Sequence, residues 1–256
     1  MILCDIDGVL AFGPYGDDTQ PGQPIYSTFV SPLREIDAIR KAGIPFFIVT
    51  AKVEAEARQI LSALGIGPSV DGIVGADRMF WPTLVAELSA GRLPRGVRKS
   101  VSRTILPDPS GAPVVMIEDR RANLEEMLSR RSIDLGILVP PPGPDRKNLS
   151  VWFDLGLALR LAQWAVEGEL DPEVLEAEGV SVVPVGEGME LGQALDTRKL
   201  LELPVLPRDR LASPPPPLEP VGKFNASRRE TISWVRTVRR WSRGLGRHRA
   251  TPGPDR

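Results

Sequence analysis

Two aspartates, Asp5 and Asp7, end the apolar run ILCDIDGVLA, and Gly8 follows them. Side chains two apart on a strand share a face, so both carboxylates would project where the first strand meets its loop. Clustered carboxylates repel each other, and such a pair persists when a cation sits between them or when it does chemistry. Three further signals fall at strand ends or helix starts: Thr50 after FFIV, Lys99 at the start of a short helical segment, and Glu118-Asp119 at the end of VVMIED. Several carboxylates in one place suit a hard divalent cation, and Mg²⁺ takes a few of them together with waters and phosphate oxygens. A threonine hydroxyl can hold an anionic oxygen, and a lysine supplies positive charge. The set suits transfer of a phosphoryl group to a carboxylate, with metal and lysine offsetting the charge that builds up.

Residues so far apart in sequence meet only if something lines them up. A parallel sheet does so, because the carboxyl ends of its strands lie along one edge. Residues 1 to about 140 alternate short apolar runs with helical patterns, which predicts a parallel sheet covered by helices. MILCDI, PFFIVT, VDGIVGA, APVVMIED and LGILVP read as strands. SPLREIDAIRKAG, VEAEARQILSALG and ANLEEMLSRR read as helices, with WPTLVAELSAG and RKSVSRTIL as two more. Ser31 and Pro32 suit the start of the first helix, and Gly43 and Gly65 suit helix ends. Each chemical signal also has a plainer reading. Asp-x-Asp-Gly is a turn composition, and Thr50 or Glu118-Asp119 could cap the helix that follows. Arg95, Arg98 and Lys52 compete with Lys99 for the place of the cation.

In this order and spacing, DIDGV, the VT closing the second strand, Lys99 and IEDR resemble the motifs of the haloacid dehalogenase (HAD) superfamily of phosphohydrolases, over residues 5–121. The resemblance implies a Rossmann-like three-layer α/β sandwich with a central parallel sheet, and a Mg²⁺-dependent phosphatase. By the same resemblance, Asp5 is the nucleophile that forms an aspartyl-phosphate, and Asp7 protonates the leaving group and then activates water. Thr50 and Lys99 bind the phosphoryl group. Asp119, supported by Glu118, holds Mg²⁺ together with the Asp5 carboxylate and the Asp7 backbone carbonyl. Lys99 is preferred over its rivals because it precedes VVMIED by the interval the family uses. The acid at position 7 favours phosphatases over the dehalogenase branch. Residues 11–30 leave room for a flap, not a cap domain, and residues 53–98 are taken up by core elements, which implies a capless type. An open site suits a bulky phosphorylated substrate. The alternatives are a nucleic-acid-associated phosphatase that processes phosphorylated ends, and a non-catalytic scaffold of the same fold. Intact Asp5, Asp7, Thr50 and Asp119 argue against the scaffold.

The rest of the chain sets bounds. At 256 residues it can bury a sizeable core, and a net charge of -1 gives the whole chain no field that draws nucleic acid or acidic lipid. The single cysteine, Cys4, excludes an intrachain disulfide and fits a reducing, cytoplasmic setting. Residues 1–30 lack the pattern of a signal peptide, and no apolar stretch is long enough to span a bilayer. Four parts are expected: a catalytic core at 1–147, a helical or mixed extension at 148–210, a Pro-rich linker at 211–222, and a basic amphipathic helix with a disordered tail at 223–256. Within the extension, VWFDLGLALRLAQWAVEG reads as one apolar helix. In the last part Trp234, Val238, Trp241 and Leu245 share one helical face and Arg236, Arg239, Arg240, Arg243 and Arg247 the other. That face suits an anionic partner, nucleic acid or a membrane surface, or a protein groove, and docking on the chain's own core is the plainer reading. Tyr15, Tyr26 and Phe29 in the flap could stack on a ring, and His248 in the tail has no assigned role.

Overall fold

The apolar runs become strands and the periodic segments between them become helices. The structure, a computed structural model, describes residues 1–12, 24–28, 33–76, 78–79, 106, 111–140, 151–185, 199–207 and 220–223. The strands are β1 (Ile2–Cys4), β2 (Ala11–Phe12), β3 (Pro24–Ser27), β4 (Phe46–Val49), β5 (Gly72–Val74), β6 (Val115–Glu118), β7 (Leu135–Leu138), β8 (Val151–Trp152), β9 (Ser181–Pro184), β10 (Lys199–Glu202), β11 (Leu206–Pro207) and β12 (Pro220–Lys223). The helices are α1 (Leu33–Lys41), α2 (Glu54–Ala63), α3 (Arg121–Ser129), α4 (Leu155–Glu167) and α5 (Pro172–Ala177).

Among the described residues, seven strands form one sheet in the order β5-β4-β1-β6-β7-β10-β9. Neighbours run parallel except β9, which pairs antiparallel with β10 at one edge. The chain starts at β1, moves outward through β4 and β5, then returns to β6 on the other side and continues outward. Strand order therefore reverses at β1, and the crevice at such a switch point is where α/β sheets bind ligands. This is the parallel sheet covered by helices that the sequence pattern predicts, and the Rossmann-like α/β architecture that the resemblance implies. Register aligns the edge: Cys4 pairs with Ile48 on one side and Ile117 on the other, so Asp5 and Glu118 follow at the same level.

Strand alternation builds the core in two layers. Ile2, Cys4, Phe46, Ile48, Val115 and Ile117 face a cluster shared with α1, α2 and α4. Leu3, Val49 and Met116 face a second cluster, closed by Leu124, Met127 and Leu128 of α3. Cys4 is buried in the first cluster as a small hydrophobe. No helix among the described residues is long and apolar enough to cross a membrane.

Several boundaries differ from the sequence reading. The first strand ends at Cys4, not Ile6, because the chain bends there. The apolar helix read from Val151 begins at Leu155: Asp154 caps it, its carboxylate accepting from Leu157 N–H at 3.0 Å, while Val151–Trp152 pair with Leu206–Pro207. Residues 181–184 and 199–202, read as part of an extension, extend the central sheet, and α4 belongs to the layer that covers it. The Pro-rich segment read over 211–222 ends in a strand, β12, which pairs with β3. Ser31, Pro32, the two helices read within residues 81–106, the loop at 13–23, and the basic helix and tail after Lys223 lie outside the described residues, Leu106 excepted.

Candidate active site

Asp5 is the first residue past β1. Its backbone N–H donates to Ile117 O at 3.0 Å, and its Oδ1 accepts the Ile6 N–H at 2.7 Å, which fixes the carboxylate at the sheet edge. A tight turn follows. The N–H groups of Val9, Leu10 and Ala11 all donate to Ile6 O, at 3.3, 2.9 and 2.9 Å, and Gly8 N–H donates to Ala11 O at 3.0 Å. Gly8 has φ +81°, the left-handed region that glycine enters without a Cβ penalty. A Cβ at Gly8 would also stand 2.3 Å from Asp119 Oδ2 and 2.8 Å from Asp119 Cγ. Position 8 is thus glycine for two independent reasons, and the turn backbone lies directly against the Asp119 carboxylate.

Across the switch point, Glu118 ends β6 fully buried, and its Oε1 accepts the Arg120 N–H at 3.3 Å. Asp5, Glu118 and Asp119 each offer a carboxylate oxygen, and these lie within 4.8 Å of one another. Asp5 is 6% exposed, and like charges held this close away from bulk water repel strongly. Buried charges are stable when paired or coordinated to a metal. The donors are hard carboxylate oxygens at the carboxyl edge of the sheet, a set that waters and substrate oxygens can complete. That donor set fits Mg²⁺.

Thr50 is buried just past β4, its N–H donating to Val74 O at 3.1 Å. It does not cap α2. The N-cap is Val53, without a side-chain bond, and the Thr50 hydroxyl instead accepts the Lys52 N–H at 3.3 Å. Lys52 is 9% exposed, its carbonyl accepts Ala76 N–H at 2.8 Å, and its Nζ stands 3.4 Å from Asp7 Oδ1. The β4 end therefore carries a buried cation into the site.

Asp5, Asp7, Thr50 and Asp119 fall just past strands at one edge of the sheet, and Glu118 ends its strand at the same edge. The carboxylates do not form one group. Alternation would set Asp5 and Asp7 on a shared face, but β1 stops at Cys4 and Asp7 forms an isolated bridge with Ala11. Its carboxylate pairs with Lys52 and is not one of the three in the cluster. Lys99, Arg95 and Arg98 lie outside the described residues. Lys52 was legible in the sequence only as a rival. Its signal was its place two residues after Thr50, in the same strand-end turn.

No family model and no curated protein matches the chain. Solved structures similar to it include 3-deoxy-D-manno-octulosonate 8-phosphate phosphatase from Moraxella catarrhalis, in complex with magnesium, phosphate and KDO. That match has 17% identity, covers 69% of this chain and 90% of that one, and has a TM-score of 0.36. The Yersinia pestis 3-deoxy-D-manno-octulosonate 8-phosphate phosphatase is similar at 13% identity, over 67% of this chain and 83% of that one, with a TM-score of 0.34. A Legionella pneumophila hydrolase described as HAD subfamily III A is similar at 17% identity, over 66% of this chain and 88% of that one, with a TM-score of 0.33. All three matches lie at 13–17% identity with TM-scores of 0.33–0.36, and no family, substrate or mechanism passes from them to this chain.

Proposed function

We propose that the chain is a Mg²⁺-dependent phosphatase that hydrolyses a phosphomonoester through an aspartyl-phosphate on Asp5. The observation that carries this reading is the convergence of Asp5, Glu118 and Asp119 within 4.8 Å at the sheet's switch point. Thr50 and the Lys52–Asp7 pair stand at the same edge. Asp5, Glu118 and Asp119 would hold the metal, which when bound neutralises phosphoryl oxygens as charge builds on them.

The protein's own groups do the rest. A carboxylate oxygen of Asp5 attacks phosphorus, the new O–P bond forms, and the bond to the ester oxygen breaks. Asp7 in its protonated form passes its proton to that leaving oxygen, so an alcohol departs, and the Lys52 ammonium then faces the carboxylate that remains. Water then attacks the phosphorus of the acyl phosphate, gives its proton to Asp7, and frees phosphate and Asp5. The Ile6 N–H on Asp5 Oδ1 keeps the nucleophile's orientation fixed between the two steps. The Thr50 hydroxyl and the Lys52 ammonium offer a donor and a cation to the phosphoryl oxygens, a charge-assisted arrangement suited to a dianion.

Asp5→Asn keeps the shape and removes the attacking charge. With Mg²⁺ and an aryl phosphate, phosphate release should fall about a thousandfold or more. The fold should persist by circular dichroism. Near wild-type turnover in the purified variant would exclude the covalent route.

A further inference from the structure

We propose that the C-terminal strand β12 is a positioning element for the catalytic turn, acting through the β2–β3 hairpin, with Gly222 at its tightest contact. The proposal rests on the phosphatase reading for its kinetic consequence but on packing alone for its structural one. β12 ends the Pro-rich segment, far along the sequence from the catalytic turn, yet it pairs antiparallel with β3, placing Gly222 opposite Ile25 and Lys223 opposite Pro24. β3 in turn pairs with β2, Ser27 opposite Ala11 and Tyr26 opposite Phe12. β2 begins where the turn after Asp5 ends. Thr28, the residue after β3, donates its N–H to Leu10 O at 3.1 Å and its hydroxyl to Val9 O. The turn thus has two supports, Asp119 against Gly8 on one side and the hairpin on the other.

A hairpin of such short strands is marginal by itself, and a third strand is what makes a small sheet persist. β12 supplies that strand and also ties it to the core. A Cβ on Gly222 would stand 2.8 Å from Ala63 Cβ, at the last residue of α2. Gly222 lies outside the left-handed region, so backbone conformation does not demand glycine there; the close approach to α2 does. Ile25, its partner on β3, is fully buried in the main core cluster. The hairpin is therefore held by its own Ile25 in the core and by a strand that can approach α2 only without a side chain.

The test uses the full-length chain with three changes: Gly222→Ala, Ala63→Gly, and both together. Amide hydrogen exchange is followed at residues 25–28 and 8–11, with β6 as an internal reference, beside kcat and KM for p-nitrophenyl phosphate with Mg²⁺. Gly222→Ala should speed exchange about tenfold in both segments and leave β6 unchanged, because the hairpin opens as a local unit. It should lower kcat about tenfold with KM within about twofold, since a small displacement of the nucleophile's turn acts on the chemical step. Ala63→Gly added to Gly222→Ala removes the overlap and should restore both. General destabilisation would instead lower the melting temperature and speed exchange in β6 as well. Unchanged exchange at 8–11 in Gly222→Ala overturns the proposal, as does a loss that Ala63→Gly does not relieve, or faster exchange with unchanged kcat. If the wild-type protein releases no phosphate, the phosphatase reading fails by itself. The positioning role is then decided by exchange at 8–11.

Discussion

Replacing Gly8 with alanine should separate the site's geometry from the cost of its backbone. Two penalties add. An alanine held at φ +81° costs about 1–2 kcal/mol relative to glycine. Its Cβ would stand 2.3 Å from Asp119 Oδ2, so the carboxylate must retreat by about 1 Å to reach ordinary contact. Mg²⁺ holds its oxygens at about 2.0–2.1 Å in near-ideal octahedra, and ligand distances tolerate only about 0.2 Å. A retreat of that size removes one of the three carboxylates from the set. Gly65→Ala isolates the first penalty: its φ is +74°, and a Cβ there would meet nothing within 4 Å. Urea denaturation in chelator should show both variants losing about 1–2 kcal/mol, Gly8→Ala somewhat more. Calorimetric Mg²⁺ titration should show Gly65→Ala binding as wild type and Gly8→Ala binding about 10–100-fold more weakly. Phosphate release by Gly8→Ala should fall on the order of a hundredfold. The reasoning is refuted if Gly8→Ala binds Mg²⁺ as tightly as Gly65→Ala does, because Asp119 would then not be a ligand held by this contact.

Asp119→Ala should raise the Mg²⁺ concentration for half-maximal phosphate release about tenfold or more, and chelator should abolish release until Mg²⁺ is restored. Ca²⁺ should replace it poorly, because its looser shell leaves the reacting oxygens misplaced; full activity in chelator would remove the metal from the mechanism. Lys52→Met keeps the length and loses the charge beside Asp7, and should cost about 10–100-fold in kcat/KM, with weaker product inhibition by inorganic phosphate. Lys52→Arg should recover part of that loss, and a Lys52→Met variant within about threefold of wild type would return the cation's role to residues such as Lys99.

Local chemistry makes the first half of the chain readable. The apolar runs at Ile2–Cys4, Phe46–Val49 and Val115–Glu118 are bounded by residues that stop strands, and Asp5, Thr50 and Asp119 are polar where an apolar core cannot use them. Glycines at 43 and 65 mark the ends of α1 and α2 because each takes a conformation that other residues resist. These are short-range effects, and a single sequence carries them.

Pairings between distant segments are not carried that way. KLLE at Lys199–Glu202 is too short to show a period, and it becomes a strand because β7 offers it an open edge. The helix read from Val151 starts four residues later because Leu206–Pro207 claims Val151–Trp152 and Asp154 supplies a better cap. Asp7 leaves the carboxylate cluster because β1 ends at Cys4 and a buried lysine from the β4 turn pairs with it. Pro220–Lys223 reads as the end of a proline linker until β3 gives it a partner. The sequence by itself determined which residues can do chemistry and the sheet that gathers them, since both follow from side-chain type and local periodicity. Only the tertiary structure decided which charges meet and which strands close the sheet and the hairpin. Those choices depend on contact energies between segments far apart along the chain, which local sequence patterns do not encode.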